Sequence, residues 1–266
     1  AQGGAAEGPA DLGTVVVTAD RRETPLKDTA EIIRVVSADE IQAMNPSSTG
    51  EILETVTGLN TESGTGSGFP KRSIVSLNGM PAQYVLVLVN GQKLLSEHVH
   101  TGQNVDMIPP EAIERIEIIK TAASAQYGSD AIGGVVNIIT KPRARVPGAK
   151  VYSSYGSKRA LNAGMGVSAP VDERVRVSLF ADWDRTDGLT VLAPEHRLDN
   201  MGYGRVSLLS NVDADITPWL SADLYFNYLQ NQMDWQDDVI HSRLIMPKAE
   251  LNADLGEHWR LTGAVE

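Results

Sequence analysis

The chain has 266 residues, of which 42% are hydrophobic and 21% are charged, and 34 acidic against 23 basic residues give a formal net charge of −11 at pH 7. This acidic balance argues against a nucleic-acid-binding protein, because the sequence offers no basic stripe to neutralise phosphates. The absence of cysteine excludes disulfide bonds and cysteine-ligated zinc. Apolar runs are far shorter than the roughly 20 residues of a membrane-spanning helix.

The first segment with a structural signal is residues 14–19 (TVVVTA), which follow an Ala- and Gly-rich leader at residues 1–13. Three valines between threonines favour an extended backbone. Such a segment, with free backbone donors and acceptors, can add as a strand to the sheet of a partner protein. The alternative is that it forms an ordinary first strand of the domain that follows.

Two short helices are predicted in that domain by capping boxes, which pair Ser37 with Glu40 and Ser48 with Glu51. Asn45-Pro46 and Gly58 are expected to end these helices. Continuous apolar runs predict buried strands at residues 32–36, 84–89, 113–119 and 135–139. Residues 20–142 are therefore predicted to form a small mixed α+β domain.

Residues 143–266 show a different pattern, because apolar and polar residues alternate in segments of about ten positions. Val177, Leu179 and Ala181 share one face of such a segment, while Ser178 and Asp182 share the other. Tight polar turns alternate with longer polar stretches at residues 184–200 and 231–242. About seven strands with two contrasting faces are typical of the wall of an outer-membrane β-barrel.

Aromatic residues near the predicted strand ends favour the barrel, because they are expected to lie at the membrane interfaces. They are Trp183, Tyr203, Trp219 and Trp259. A soluble β-sandwich, as in a surface adhesin, shows the same alternation with one face buried and is the alternative.

Three strings in the first 142 residues resemble, in the same order, motifs of the TonB-dependent outer-membrane receptors. Residues 113–120 (IERIEIIK) and 124–141 (SAQYGSDAIGGVVNIITK) resemble the end of the family's plug domain, and residues 84–91 (YVLVLVNG) resemble its central strand and turn. The leader strand resembles the TonB box, and the residues implied to bind TonB are Thr14, Val15, Val16, Val17, Thr18 and Ala19.

The resemblance implies an α+β plug domain followed by antiparallel transmembrane β-barrel strands, in a 22-stranded barrel of the outer membrane of a Gram-negative bacterium. It implies an importer driven by TonB and its inner-membrane motor proteins. Seven strands cannot enclose a plug of this size, and an open edge in lipid is costly. The other strands are expected from a C-terminal part of a longer receptor or from another chain.

The sequence departs from the family at two places, with Val75-Ser76 where plugs commonly have Arg-Gly and Thr121-Ala122 where they commonly have Gly-Pro. The resemblance implies that the missing arginine would pair near the strand of Glu114 and Glu117, and Lys71 and Arg72 are the candidate substitutes. The predicted residues that lock plug to barrel are Glu114, Arg115 and Glu117. A catalytic carboxylate pair is disfavoured, because no nucleophile or base accompanies them.

Residues 60–71 and 94–104 are interpreted as two plug loops that face the outside of the cell and bind substrate. The predicted contact residues are Ser63, Thr65, Ser67, Phe69, Leu95, Glu97, His98, His100 and Gln103. Residues 63–68 (SGTGSG) lack the ending of a nucleotide-binding loop. His98 and His100 share a face of an extended segment, so they are either ligands of a haem iron or ordinary surface histidines.

No catalytic motif, metal-binding motif or resident cofactor is predicted, so the chain is not expected to be an enzyme. The expected substrate is a small metal chelate. A ferric siderophore is the first candidate, haem is suggested by His98 and His100, and cobalamin by the string at residues 127–140. A receptor that senses its ligand without transport is the remaining alternative.

Overall fold

The computed structural model describes residues 16–17, 24–25, 33–63, 73–95, 102–121, 123–140, 147–188, 191–192, 197–198, 202–235, 238–255 and 260–265. These residues form two bodies in contact. The first, called the plug, is a small mixed α/β unit within residues 33–140. The second, called the wall, is a seven-stranded antiparallel sheet within residues 148–265. Ahead of the plug, β1 (Val16–Val17) and β2 (Thr24–Pro25) form a two-stranded ladder.

The plug contains seven strands and three helices. In chain order these elements are β3 (Ile33–Ser37), α1 (Ala38–Met44), α2 (Thr49–Glu54), β4 (Leu59–Ser63), β5 (Ser73–Leu77), β6 (Val85–Val89), β7 (Gln92–Lys93), β8 (Ile113–Ile119), α3 (Ser124–Tyr127) and β9 (Gly134–Thr140). Five strands form one sheet in the order β3-β8-β9-β6-β7, with β6 and β9 parallel. All four predicted strands are confirmed within two residues. The prediction of a loop from residue 60 was wrong in part, because residues 59–63 form β4 and pair with β5.

Both helices begin at the predicted serines. Ser37 forms a complete capping box with Glu40 and starts α1, which ends where Asn45 adopts a left-handed conformation with φ of 46°. Ser48 accepts a hydrogen bond from the Glu51 backbone and starts α2. The second box is one-sided, because the Glu51 carboxylate accepts from the backbone and hydroxyl of Ser47 instead.

The wall is an antiparallel meander in which each strand pairs with the next large strand along the chain. Its strands are β10 (Gly148–Tyr155), β11 (Leu161–Pro170), β12 (Val175–Thr186), β15 (Tyr203–Thr217), β16 (Leu220–Trp235), β17 (Asp238–Asp254) and β18 (Arg260–Val265). A separate small ladder, β13 (Val191–Leu192) with β14 (Arg197–Leu198), lies in the connection from β12 to β15. The predicted seven strands are confirmed. The predicted loop at residues 231–242 was wrong, because β16 and β17 extend through it as a hairpin.

The two faces of the wall have opposite character. Large apolar side chains project from the face away from the plug and are 40% to 54% exposed, namely Met165, Leu179, Trp183, Leu224, Phe226 and Ile245. Polar side chains are buried on the face toward the plug, namely Asp182, Asp184, Arg205, Ser207, Asn211, Asp213, Asp223, Asn227, Asn231 and Lys248. A soluble sandwich buries its apolar face, so this arrangement excludes the sandwich alternative.

The prediction that Tyr203 lies at a membrane interface was wrong. Tyr203 lies on the inner face, is 6% exposed and donates a hydrogen bond to Asp184 at 3.0 Å. Trp183 and Trp219 are exposed as expected, and Trp259 lies outside the described residues.

The apolar core lies in the plug and reaches the wall. Buried residues of α1, α2 and the plug sheet form one cluster, which Leu209, Leu229 and Met246 of the wall complete. The plug is therefore packed against the inner face of the wall by apolar contacts as well as polar ones. Within the described residues, no helix has the length and apolar character needed to cross a membrane.

Candidate functional site at the plug–wall interface

The segment predicted to bind TonB is paired in part with its own chain. Val16 lies opposite Pro25 and Val17 lies opposite Thr24 in the ladder of β1 and β2. Thr14, Val15, Thr18 and Ala19 lie outside the described residues. A ladder of two residue pairs is short, and its hydrogen bonds contribute about 1 kcal/mol each. A partner strand therefore has little internal pairing to displace.

The three residues predicted to lock plug and barrel are brought together on β8. Arg115 donates to Glu117 at 2.9 Å, and its guanidinium lies 3.4 Å from Glu114. The Glu117 side chain is fully buried, so the arginine supplies the counter-ion that a buried carboxylate requires. Arg115 thus provides one cation for Glu117 within the strand itself. Their role in locking stays a prediction.

A first anchor between plug and wall lies at the turn that follows the second predicted loop. Arg205 of β15 donates to the backbone carbonyl of Asp106, and Ser207 donates to the carbonyl of Met107 at 3.0 Å. The Arg205 side chain is 5% exposed. We call this pair of contacts the upper anchor.

A second anchor joins the turn between β6 and β7 to strand β17. Lys248 donates to the carbonyl of Asn90 at 2.9 Å, and Gln92 donates to the carbonyl of Pro247 at 3.1 Å. Asn90 and Gly91 both have positive φ, which forms the tight turn that presents this carbonyl. We call these contacts the lower anchor.

Each wall cation of the anchors has a counter-ion on the wall. Asp184 lies directly opposite Arg205 in the pairing of β12 with β15, and the two side chains are 2.9 Å apart. Lys248 lies 2.9 Å from Glu250, two residues further along β17. The cations therefore bind plug backbone through hydrogen bonds while their charge is balanced within the wall.

Each of the two predicted substrate loops has one end near the upper anchor. Ser63 ends β4 and pairs with Ser73 of β5, so residues 64–72 connect them. Ser73 and Gly50 both donate to the Asp106 carboxylate, at 2.7 and 2.8 Å. The upper anchor lies close to the rim of the wall that carries the long connection from β12 to β15, because Arg205 is the third residue of β15.

The structure places only part of the predicted contact set. Leu95 is half exposed, whereas Gln103 is buried, so any contact of Gln103 with a ligand requires movement. The remaining predicted contacts lie outside the described residues, namely Thr65, Ser67, Phe69, Glu97, His98 and His100. In the described part of the chain, no three acidic or histidine side chains are grouped to hold a metal ion.

Two exposed ion pairs stabilise local plug geometry. Lys93 of β7 donates to Asp130 and thereby lowers the pKa of that carboxyl below its ordinary value. Burial opposes ionisation of Glu40, but hydrogen bonds from the Ser37 backbone and from Arg34 lower its pKa overall. Both carboxylates are solvent-accessible, so these pairs fix local structure and give no sign of catalytic chemistry.

An apolar outer face, a polar inner face and a folded plug against that inner face define the class of plugged outer-membrane β-barrel receptors. Residues 25–135 match the family described as the TonB-dependent Receptor Plug Domain. These residues therefore form a plug domain of the TonB-dependent receptor family, whose members are outer-membrane proteins of Gram-negative bacteria and not enzymes.

Similar proteins support this assignment over both bodies. The vitamin B12 transporter BtuB of Photobacterium profundum is 30% identical over 223 residues, which are 84% of this chain and 36% of that protein. The alcaligin outer-membrane receptor FauA of Bordetella pertussis shares the fold with a TM-score of 0.73 at 19% identity, over 93% of this chain and 40% of its own. The siderophore receptor PirA of Acinetobacter baumannii has a TM-score of 0.71 at 20% identity, over 91% of this chain and 40% of its own.

Proposed function

We propose that this chain is part of an active importer, which carries a scarce metal chelate across the outer membrane. One observation carries the proposal: a plug is packed on the polar face of a wall whose apolar face is turned outward. β10 and β18 each have one neighbouring strand among the described residues, so further strands are needed to close the barrel.

The energy for import is proposed to come from TonB and its inner-membrane motor proteins. A charge that moves down the membrane potential releases about 2.3 kcal/mol per 100 mV. Residues 14–19 are proposed to pair with TonB by strand addition after they leave β2, and force on them would then loosen the plug. The ion pairs among Glu114, Arg115 and Glu117 are proposed to hold β8 together during this movement. They are also proposed to lock the plug to the barrel.

The rim with the long β12 to β15 connection is proposed to face the outside of the cell. Short turns at the other rim, such as the one at residues 171–174, match the periplasmic turns of outer-membrane barrels. On this orientation the substrate would approach the loops rooted at Asp106. Substrate contacts are proposed for the loop residues predicted from the sequence, with Gln103 becoming accessible only after the loop moves.

A ferric siderophore is the proposed substrate, because it is the commonest cargo of the family that the sequence resembles. Cobalamin is the second candidate, and the observation that favours it is the 30% identity to a vitamin B12 transporter. Haem is the third candidate, and this candidate depends on His98 and His100 as ligands of the iron.

The experiment is uptake by the full-length receptor in cells with and without TonB, using ferric enterobactin, cyanocobalamin and haemin as separate probes. The expected result is TonB-dependent accumulation of one probe and not the others. Accumulation that is equal without TonB, or binding without any accumulation, would contradict the importer and favour a sensing receptor. Absorbance of the purified receptor gives an independent reading, because the three cargoes have different spectra.

A further inference from the structure

The carboxylate of Asp106 joins three separate segments of the plug. One oxygen accepts from the backbone of Gly50 at 2.8 Å, and the other accepts from the hydroxyl of Ser73 at 2.7 Å. These partners lie 56 and 33 residues away in sequence. Asp106 is 1% exposed, so water does not compete for these bonds. Each oxygen thus fixes a different segment to the same side chain.

Close packing at Gly50 shows that the junction formed by Gly50, Ser73 and Asp106 requires a short distance between α2 and β5. A Cβ atom at Gly50 would lie 2.4 Å from the Cβ of Ser73 and 3.3 Å from a carboxylate oxygen of Asp106. The first distance is too short for two carbon atoms without a shift of the backbone. Glycine therefore lets the start of α2 approach β5 closely enough for both to reach one carboxylate.

The three segments include the roots of both predicted substrate loops. Ser73 is the first residue of β5 and directly follows residues 64–72. Asp106 lies in the short turn that follows residues 96–101, and the side chain of Asn104 accepts from the Asp106 backbone to cap that turn. An isolated bridge between Ile74 and Asn104 holds the two roots side by side.

The same residue also contacts the wall, but through its backbone. The carbonyl of Asp106 accepts from Arg205, whose own counter-ion is Asp184. The side chain of Asp106 therefore fixes the separation of the two loop roots, and its carbonyl fixes their position relative to the barrel. Asp106 therefore contacts both roots and the wall.

We propose that Asp106 is a positioning residue that holds the roots of the two predicted substrate loops, at Ser73 and Asn104, at a fixed separation. This proposal rests on the proposed import function. Loops whose roots are fixed lose less conformational freedom when a ligand binds, so the entropic cost of binding is smaller. Loss of the Asp106 carboxylate therefore weakens ligand binding although Asp106 does not contact the ligand. Loss of the carboxylate leaves the later, TonB-driven steps of import unchanged.

The first measurement is saturable uptake by the full-length receptor, with ferric enterobactin and cyanocobalamin as the probes. Asp106→Ala is expected to raise the half-saturating concentration of the transported probe about tenfold and to leave the saturated rate per receptor unchanged. A defect of folding alone would lower the amount of receptor and not the apparent affinity. Asp106→Asn retains one acceptor oxygen and is expected to fall between the parent and Asp106→Ala.

The second measurement does not depend on the cargo. The chain has no cysteine, so spin labels can be placed at Asn60→Cys and Leu95→Cys, next to the two loops, with Asp39→Cys and Gln83→Cys as a remote control pair. Ser73→Ala is expected to broaden the distance distribution of the first pair and not of the control pair. Ser73→Ala is the smallest change at the junction, since it removes only the hydroxyl.

Two results would overturn the proposal. One is an Asn60 to Leu95 distance distribution that stays as narrow as in the parent in both Ser73→Ala and Asp106→Asn. The other is an Asp106→Ala receptor that folds and keeps the parent half-saturating concentration. If the parent receptor takes up neither probe, the proposed import of these cargoes fails, and the label distances still decide whether Asp106 positions the loops.

Discussion

Arg205 and Asp184 are direct partners across the β12 and β15 ladder, with 2.9 Å between their charged groups, and both belong to the wall. At the lower anchor the corresponding pair is Lys248 and Glu250, which lie two residues apart on β17 with 2.9 Å between their charged groups. Among the described residues, the plug groups that accept hydrogen bonds from these two cations are backbone carbonyls. Removal of the plug therefore breaks hydrogen bonds to Arg205 and Lys248 but separates neither of them from its carboxylate.

On the proposed import mechanism, the pairing of each cation with a carboxylate of the wall lowers the work of moving the plug. A hydrogen bond to a charged group contributes about 1.5–3 kcal/mol, and entering water can replace it. Breaking a buried ion pair costs about 3–5 kcal/mol, because one charge is left uncompensated. With the counter-ions kept on the wall, the larger cost is avoided at both anchors. The plug is then held firmly at rest, while force needs to remove only replaceable bonds.

Asp184→Asn tests where the charge of Arg205 is balanced. The variant leaves a buried guanidinium without its carboxylate, so the free energy of unfolding of the full-length receptor should fall by about 3–5 kcal/mol. The measurement is denaturant or thermal unfolding in detergent. Arg185→Met, on the same strand but 60% exposed, is the control and should change stability little.

A double variant gives the decisive comparison. Asp184→Asn combined with Arg205→Met removes both charges and should recover part of the loss, because no unpaired ion remains. If the double variant is as unstable as the sum of the two single variants, the pair is not coupled and the account of the anchors is wrong.

Val16→Pro tests strand addition at the TonB box. Proline removes a backbone donor and cannot contribute it to a ladder with TonB, so TonB-driven uptake should be abolished. Substrate binding should stay within about twofold, because the loops rooted at Asp106 are not altered. Uptake and binding of radiolabelled substrate measure the two effects. Val16→Ala keeps the donor and should retain uptake; a proline variant with normal uptake would refute this docking mode.

Four strands of the plug, β3, β6, β8 and β9, were predictable because their apolar runs are continuous. Leu59–Ser63 escaped prediction because its residues are mostly polar, and it becomes a strand only through pairing with Ser73–Leu77. The sequence predicts a loop at residues 231–242 for a related reason. The alternation is weak there, and the strand is maintained by the long pairing of β16 with β17.

The polar inner face of the wall was predictable, but the plug atoms that its side chains contact were not. Alternation placed Asp182 on the polar face correctly, yet a period of two cannot identify which plug atom lies opposite. Arg205 and Asp106 are 99 residues apart, and the acceptor is a backbone carbonyl that leaves no trace in side-chain pattern. Aromatic position near a strand end likewise could not distinguish Tyr203, which faces Asp184, from a lipid-facing girdle residue.

Phe226→Lys tests whether the apolar face of the wall contacts lipid. Phe226 is 42% exposed on the outward face of β16, so a lysine there would place a charge in hydrocarbon and should lower stability by about 2–4 kcal/mol. Ile216→Lys is the control, because Ile216 is similarly exposed but lies next to the tight turn at the rim. Unfolding into urea from lipid vesicles measures both. Equal, small changes in the stability of the two variants would mean that this face contacts water and not lipid.

His98→Ala with His100→Ala tests haem as the cargo. Two imidazoles on one face of an extended loop can ligate iron, and their joint removal should weaken haemin binding by at least tenfold if they do so. Haemin titration of the full-length receptor, followed by the Soret band, measures the affinity and the change of ligation together. His241→Ala, an exposed histidine of β17, is the matched control for loss of a surface imidazole. An unchanged titration of the double variant would eliminate these histidines as ligands and leave the siderophore and cobalamin proposals as the ones to pursue.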